Sequence, residues 1–280
     1  MKAPRRLANP FGGVPKIVSH TDFTELTKGP LLKIERAKKH INDLSGAVDQ
    51  YLSRAPFTLM VRQQKDPARR IVFVQADPPI PSDFALMIGD AAHNLRAALD
   101  HLCFGMVGDK APSPKQIGFP FVQKQTSLGG AINTRQINVA GKNVIHELHE
   151  LQPYPSGNKY LHAVHGLDER DKHHFVLTIG EAIKVSLADL STIIPLDRMP
   201  KIPLETIVST IGPFAVDLCD GDFDRTNFPE FERKAAFDPA FTIAFGNDET
   251  LQGEPVIEAL RSITDATVNA VDRLARAFLQ

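Results

Sequence analysis

Gly89-Asp90-Ala91-Ala92-His93-Asn94-Leu95-Arg96-Ala97-Ala98-Leu99-Asp100-His101-Leu102 is the stretch from which the rest of the chain is read. At about 100° per residue, Phe84, Ile88, Ala91, Leu95, Ala98, Leu99, Leu102 and Met106 share one arc, the stripe by which a helix joins a core. Asp90, His93, Asn94, Arg96, Asp100 and His101 take the other side. A solvated helix face usually carries Lys and Glu, and this stretch has neither. Short polar side chains and histidines, which titrate near neutral pH, stand there instead. Such a face is expected to meet a second polar surface, because burying it unpaired is costly. Arg96 and Asp100 form an i,i+4 pair beside His93, and Asp90, Asn94 and His101 share a second strip.

Outward from this helix, Ser82-Asp83 can cap its start, and the helix is expected to run from 83 to about 107, before Gly108. Upstream, Ile34, Ala37, Ile41, Leu44, Val48 and Tyr51 recur at threes and fours and predict an amphipathic helix begun at Pro30. Residues 1–29 read as an extended arm. Residues 57–62 and 70–75 are β-prone around a turn and predict a hairpin. Downstream, residues 109–142 read as a long loop anchored by Phe119-Pro120-Phe121, followed by helices over 143–151 and 159–171. Residues 175–179, 182–187, 204–211, 214–218 and 241–245 look like strands. Pro255 opens a last helix carrying Ile257, Leu260, Ile263, Thr267, Val271, Leu274 and Phe278 on one face. Helices and strands do not alternate. The expectation is therefore one α+β domain over 30–280, a helical bundle packed with an antiparallel sheet made from the hairpin and the C-terminal strands.

With 280 residues and 42% hydrophobic content the chain can bury a full core. A net charge of -1 gives no global reason to bind nucleic acid or an anionic membrane, so either would need a local patch. Cys103 and Cys219 suggest no pairing and form no CxxC, which fits a reducing cytoplasm. No run of apolar residues is long enough to span a bilayer, and Asn9-Pro10-Phe11-Gly12-Gly13 stands where a signal peptide needs an apolar segment. A soluble cytoplasmic protein with no membrane partner is expected.

A second constellation, Leu167-Asp168-Glu169-Arg170-Asp171-Lys172-His173-His174, follows His162 and His165 on the 159–171 helix. Eight of the ten histidines lie between His93 and His174, which suggests that the two segments meet. Helices bearing carboxylates and histidines can face each other to hold a metal, and Asp90-x-x-His93 has the spacing such sites use. A divalent metal would draw its ligands from Asp90, His93, His101, Asp171 and His173. Recognisable metal signatures are missing, since His146-Glu147-Leu148-His149 is one residue short of HExxH.

Gly89 to His101 and Asp171-Lys172-His173 together resemble a group of uncharacterised bacterial proteins with the pattern Gly-Asp-x-x-His-Asn-Leu-Arg-x-x-Leu-Asp-His and a later Asp-Lys-His. That resemblance covers most of the chain and implies that the two motifs belong together, without implying a reaction. Arg96 and His101 also resemble the R-x(4-6)-H motif of HEPN ribonucleases, all-helical domains that cut RNA without metal, usually across a dimer. Ala97 departs from the polar residue usual after the arginine.

These observations lead to a metal-independent, HEPN-like ribonuclease or other phosphate-handling enzyme with no cofactor, RNA as partner and a homodimer as its assembly. Arg96 would stabilise phosphate charge, His101 would act as acid or base oriented by Asp100 or Asn94, and Lys172 would add a phosphate contact. His93, Asp171 and His173 complete the expected site. The alternatives are a metal-dependent hydrolase using the five ligands above, and a non-catalytic binding or scaffold protein in which the same residues form a buried polar network.

Overall fold

The computed structural model describes residues 20–54, 57–63, 70–76, 78–108, 110–173, 179–186, 207–211, 240–246 and 251–280, with the backbone alone for 20–21, 57–63, 70–76, 172–173, 179–186, 207–211 and 240–242. The stretch around Gly89 lies in α2 (Asp83–Val107). Its apolar stripe is buried throughout, from Phe84 and Ile88 to Leu102 and Met106. Ser82 precedes it without making a side-chain cap. α2 is the hub of the bundle. It packs against α1 (His20–Leu52), α5 (Lys159–His173) and α6 (Val256–Leu279).

α1 begins ten residues before the proline expected to open it, and Pro30 lies inside the helix. A proline there removes one helix hydrogen bond and costs about 3 kcal/mol in an isolated helix. Tertiary contact overrides that cost: Thr27 is buried, Phe23 and Leu26 pack on the core, and the Arg276 guanidinium lies over the Phe23 ring. Residues 20–29 are therefore helical rather than an extended arm, and the rest of the expected arm lies outside the described residues.

Within 109–142, expected as a loop, short 3₁₀ turns flank a two-turn helix, α3 (Leu128–Thr134). α4 (Lys142–Leu151) follows, joined to α6 by the Glu147–Arg273 ion pair. In α6, Val256, Leu260, Ile263, Thr267, Val271 and Leu274 are buried. The hydroxyls of Thr264 and Thr267 donate to the carbonyls four residues back, so neither enters the core unbonded.

The α+β expectation is overturned. Among residues described with their side chains, 75% are helical and 2% are in a strand, a single stretch, with no sheet packed against the helices. The backbone shows a hairpin of β1 (Phe57–Gln63) and β2 (Arg70–Ala76), and a separate set in which β3 (Ile179–Ser186) pairs with β4 (Ile207–Ile211) and β5 (Ala240–Phe245). The hairpin and the C-terminal strands thus do not form one sheet. Period-two sequence pattern reports local pairing and says nothing about which layer covers the core. Among the residues described with their side chains, the helices cover it themselves. Ile243 and Phe245 of β5 join the core where the chain turns back, through the Phe245 amide on the Glu254 carbonyl, into α6. Of the expected strand at 175–179 only Ile179 is described, as the first residue of β3, and the expected strand at 214–218 lies outside the described residues.

Candidate functional site

The polar face of α2 is divided between two neighbours. Its first strip turns to α5. His93 Nδ1 lies 3.0 Å from Asp168 Oδ1, so the two motif-bearing helices do meet. Asp168 is 1% exposed while the His93 side chain is 55% exposed. A carboxylate only accepts hydrogen bonds, so in the neutral ring Nδ1 carries the proton and Nε2 keeps its lone pair. With more than half of its side chain exposed, the ring is within reach of a reactant.

One turn further along α2, Arg96 is 8% exposed. Its Nε donates to Asp100 Oδ2 at 3.1 Å, and its Nη1 donates to His165 Nδ1 at 2.9 Å. Its guanidinium lies over the Phe121 ring, 4.8 Å from the centroid. Phe121 in turn stacks on His165 at 16° between planes and packs on Phe119. Asp100 Oδ1 accepts the Phe119 amide at 2.7 Å, so the expected anchor of the 109–142 region is fastened by α2 itself. Gly118 allows that approach, since a Cβ there would stand 3.2 Å from Asp100 Oδ1. Upstream, Gln136 holds the same region by accepting the Ser113 amide and donating to Gln116.

Guanidinium has no lone pair, so the Arg96 contact fixes His165 with Nδ1 unprotonated. Burial, and then the Arg96 charge, lower the His165 pKa from its ordinary value and favour this neutral form. His162, one turn before, is 4% exposed, and neither ring nitrogen has a hydrogen-bond partner among the described residues. Burial, then His165, lower its pKa as well. His162 and Phe121 meet edge to face.

The second strip turns to α1. Asp90 Oδ2 is 3.9 Å from His40 Nδ1, and Asn94 Nδ2 donates to the Asp90 carbonyl within α2. His101 is exposed, with its Nδ1 beside Gly29. The Asp171 carboxylate sits against Gly89, where a Cβ would come 2.0 Å from Oδ1. Thus Gly89 admits α5 to α2.

Of the expected site residues, the structure brings His93, Arg96 and Asp100 to the α5 side and sets Asp171 against Gly89. It places Asp90 and His101 toward α1, while Asn94 bonds back to the Asp90 carbonyl within α2. The Arg96 and His101 pair that carries the HEPN resemblance is divided: the arginine's partners are on α5, α2 and the 119–121 segment, whereas the histidine is by α1. An i,i+5 spacing on a regular helix, about 140° apart, produces this separation. The side chains of Lys172 and His173 lie outside the described residues. Among the described residues no group of three or more His, Cys, Asp or Glu is placed to share a metal ion. The expected site list missed Asp168, His165 and Phe121. Histidine clustering pointed to His165 and Asp168, but nothing local identified the ring that would lie on Arg96.

Among the described residues no helix is long and apolar enough to cross a membrane. No protein-family model, curated protein or solved structure matches the chain.

Proposed function

We propose that the chain is an acid/base enzyme acting on a phosphate-bearing substrate, RNA, with His93 as the proton-transferring group and Asp168 as its orienting partner. The observation that carries this reading is the pair itself: a buried carboxylate bonded to one nitrogen of a half-exposed imidazole leaves the other nitrogen to act as a base. A free ring nitrogen on an imidazole oriented by a carboxylate is the division of roles found in hydrolytic dyads. In RNA cleavage, His93 Nε2 takes the proton of the ribose 2′-hydroxyl. The 2′-oxygen bonds to the neighbouring phosphorus, the bond to the 5′-oxygen breaks, and the departing oxygen takes a proton from water or a second acid. Arg96, one turn away, has Nη2 hydrogens with no partner among the described residues, and these offer charge to the phosphate. The test is cleavage of mixed RNA in EDTA by the wild type and by His93→Ala. Activity that falls about 100-fold or more in the variant, the usual share of one positioned acid or base, supports the reading. Equal rates, or no cleavage by either, reject it.

A second reading rests on Arg96. Its two hydrogen bonds, its contact with Phe121 and the Asp100 bond to the Phe119 amide join α2, α5 and the 119–121 segment, as a purely structural polar network would. In that case His93 is a surface residue of the network and the protein binds or scaffolds without catalysis.

A further inference from the structure

We propose that the Arg96–His165 hydrogen bond is a proton-operated latch: protonating His165 moves it from Arg96 to Glu169 and loosens the hold of α2 on the Phe119–Phe121 segment. The inference is independent of the catalytic reading, because it concerns how the segment is held and not what His93 does.

The geometry requires a neutral imidazole. Arg96 Nη1 can only donate, so His165 Nδ1 must accept at 2.9 Å. A protonated imidazole donates from both nitrogens, and turning the ring over exchanges one N–H for another. The contact would then set two donors and two positive charges against each other at an arginine that is 8% exposed. An alternative partner is already near, since Glu169 Oε1 on the same helix is 3.9 Å from the same Nδ1. A small ring rotation would exchange a bond between helices for one within α5.

The charged groups around His165 act in opposite directions. Arg96 on α2 and Arg135, which follows α3, oppose protonation, while Asp168 and Glu169 on α5 favour it. Asp100 balances Arg96 through its own ion pair, and alongside lies the His162 ring, which has no hydrogen-bond partner among the described residues. Burial outweighs the carboxylates and keeps the ring neutral under ordinary conditions. The consequence reaches the 119–121 segment because Phe121 stacks on both the ring and the guanidinium, while Asp100, partner of that guanidinium, holds the Phe119 amide.

The Phe119 amide is therefore the reporter. Its hydrogen-exchange protection factor, which corrects for the pH dependence of free amides, is measured by NMR from pH 7.5 to pH 5 beside the titration of the His165 ring. In the wild type, protection is expected to fall roughly ten- to a hundredfold as the ring protonates, the size of one hydrogen bond to a charged group. In His165→Gln, whose carboxamide oxygen can accept from Arg96 but does not titrate, protection should stay constant. Glu169→Gln, an exposed change that leaves the core alone, should move the wild-type transition to lower pH. It also keeps the test available if His165→Gln does not fold. Constant Phe119 protection while His165 protonates, an equal loss in His165→Gln, or an unmoved transition in Glu169→Gln would overturn the latch.

Discussion

Replacing Arg96 by Met separates a structural arginine from one held for a ligand. Methionine keeps an unbranched chain over Phe121 and can place its sulfur against the ring, so packing is largely retained. What is lost is the Nε bond to Asp100 and the Nη1 bond to His165. A hydrogen bond to a charged group contributes about 1.5–3 kcal/mol and a neutral one about 1 kcal/mol. Removing one partner of a fully buried ion pair costs about 3–5 kcal/mol. The Asp100 side chain is 35% exposed and keeps the Phe119 amide, so water and that amide recover part of the loss. The expected cost is about 2–3 kcal/mol, read as a lower urea midpoint with an unchanged slope. A cycle with Asp100→Asn should show a coupling of about 1 kcal/mol or more. A loss under about 0.5 kcal/mol, the range of ordinary surface changes, would refute the claim that these contacts hold the bundle together.

Leu95→Ala and Leu102→Ala, at fully buried positions of α2, are each expected to cost about 2–5 kcal/mol in the same urea measurement. Cys103 is buried, and desolvation pushes its thiol far up, so in a Cys219→Ser background it should resist a thiol reagent until the protein unfolds. His162 and His165 both have folded pKa values lowered by burial, so the unfolded chain binds more protons than the folded one as pH drops through the ordinary histidine value of 6.5. Stability is therefore full above that value and is lost below it, which urea midpoints between pH 7.5 and pH 5 would show. Removal of both rings should flatten that slope, and an unchanged slope would count against the burial argument.

The bundle was legible where helix periodicity and burial coincide. The α2 stripe from Phe84 to Met106 and most of the α6 face read directly from spacing. The early start of α1 was hidden because Pro30 is a local stop signal that packing of Phe23 and Leu26 overrides. The β-rich second half read as a packed layer because strand propensity is local, whereas covering a core is a property of the whole chain. In the site, the Arg96–Asp100 pair followed from i,i+4 spacing, and the meeting of the two motifs followed from the clustering of histidines. Position around the helix axis also implied that Arg96 and His101 diverge, yet the motif resemblance drew them together. The stack of Phe121 on His165 and Arg96 could not be read, since it depends on where a segment 25 residues along returns to α2.

The most direct measurement is the rate of RNA cleavage in EDTA by the wild type, His93→Ala, Asp168→Asn and the double variant, each shown to be folded. If Asp168 acts by orienting His93, each single change should lower the rate by about 100-fold or more, and the double variant should fall no further than His93→Ala, because residues acting as a unit are not additive. Wild-type RNA cleavage that persists in His93→Ala, or losses that multiply in the double variant, would contradict the dyad.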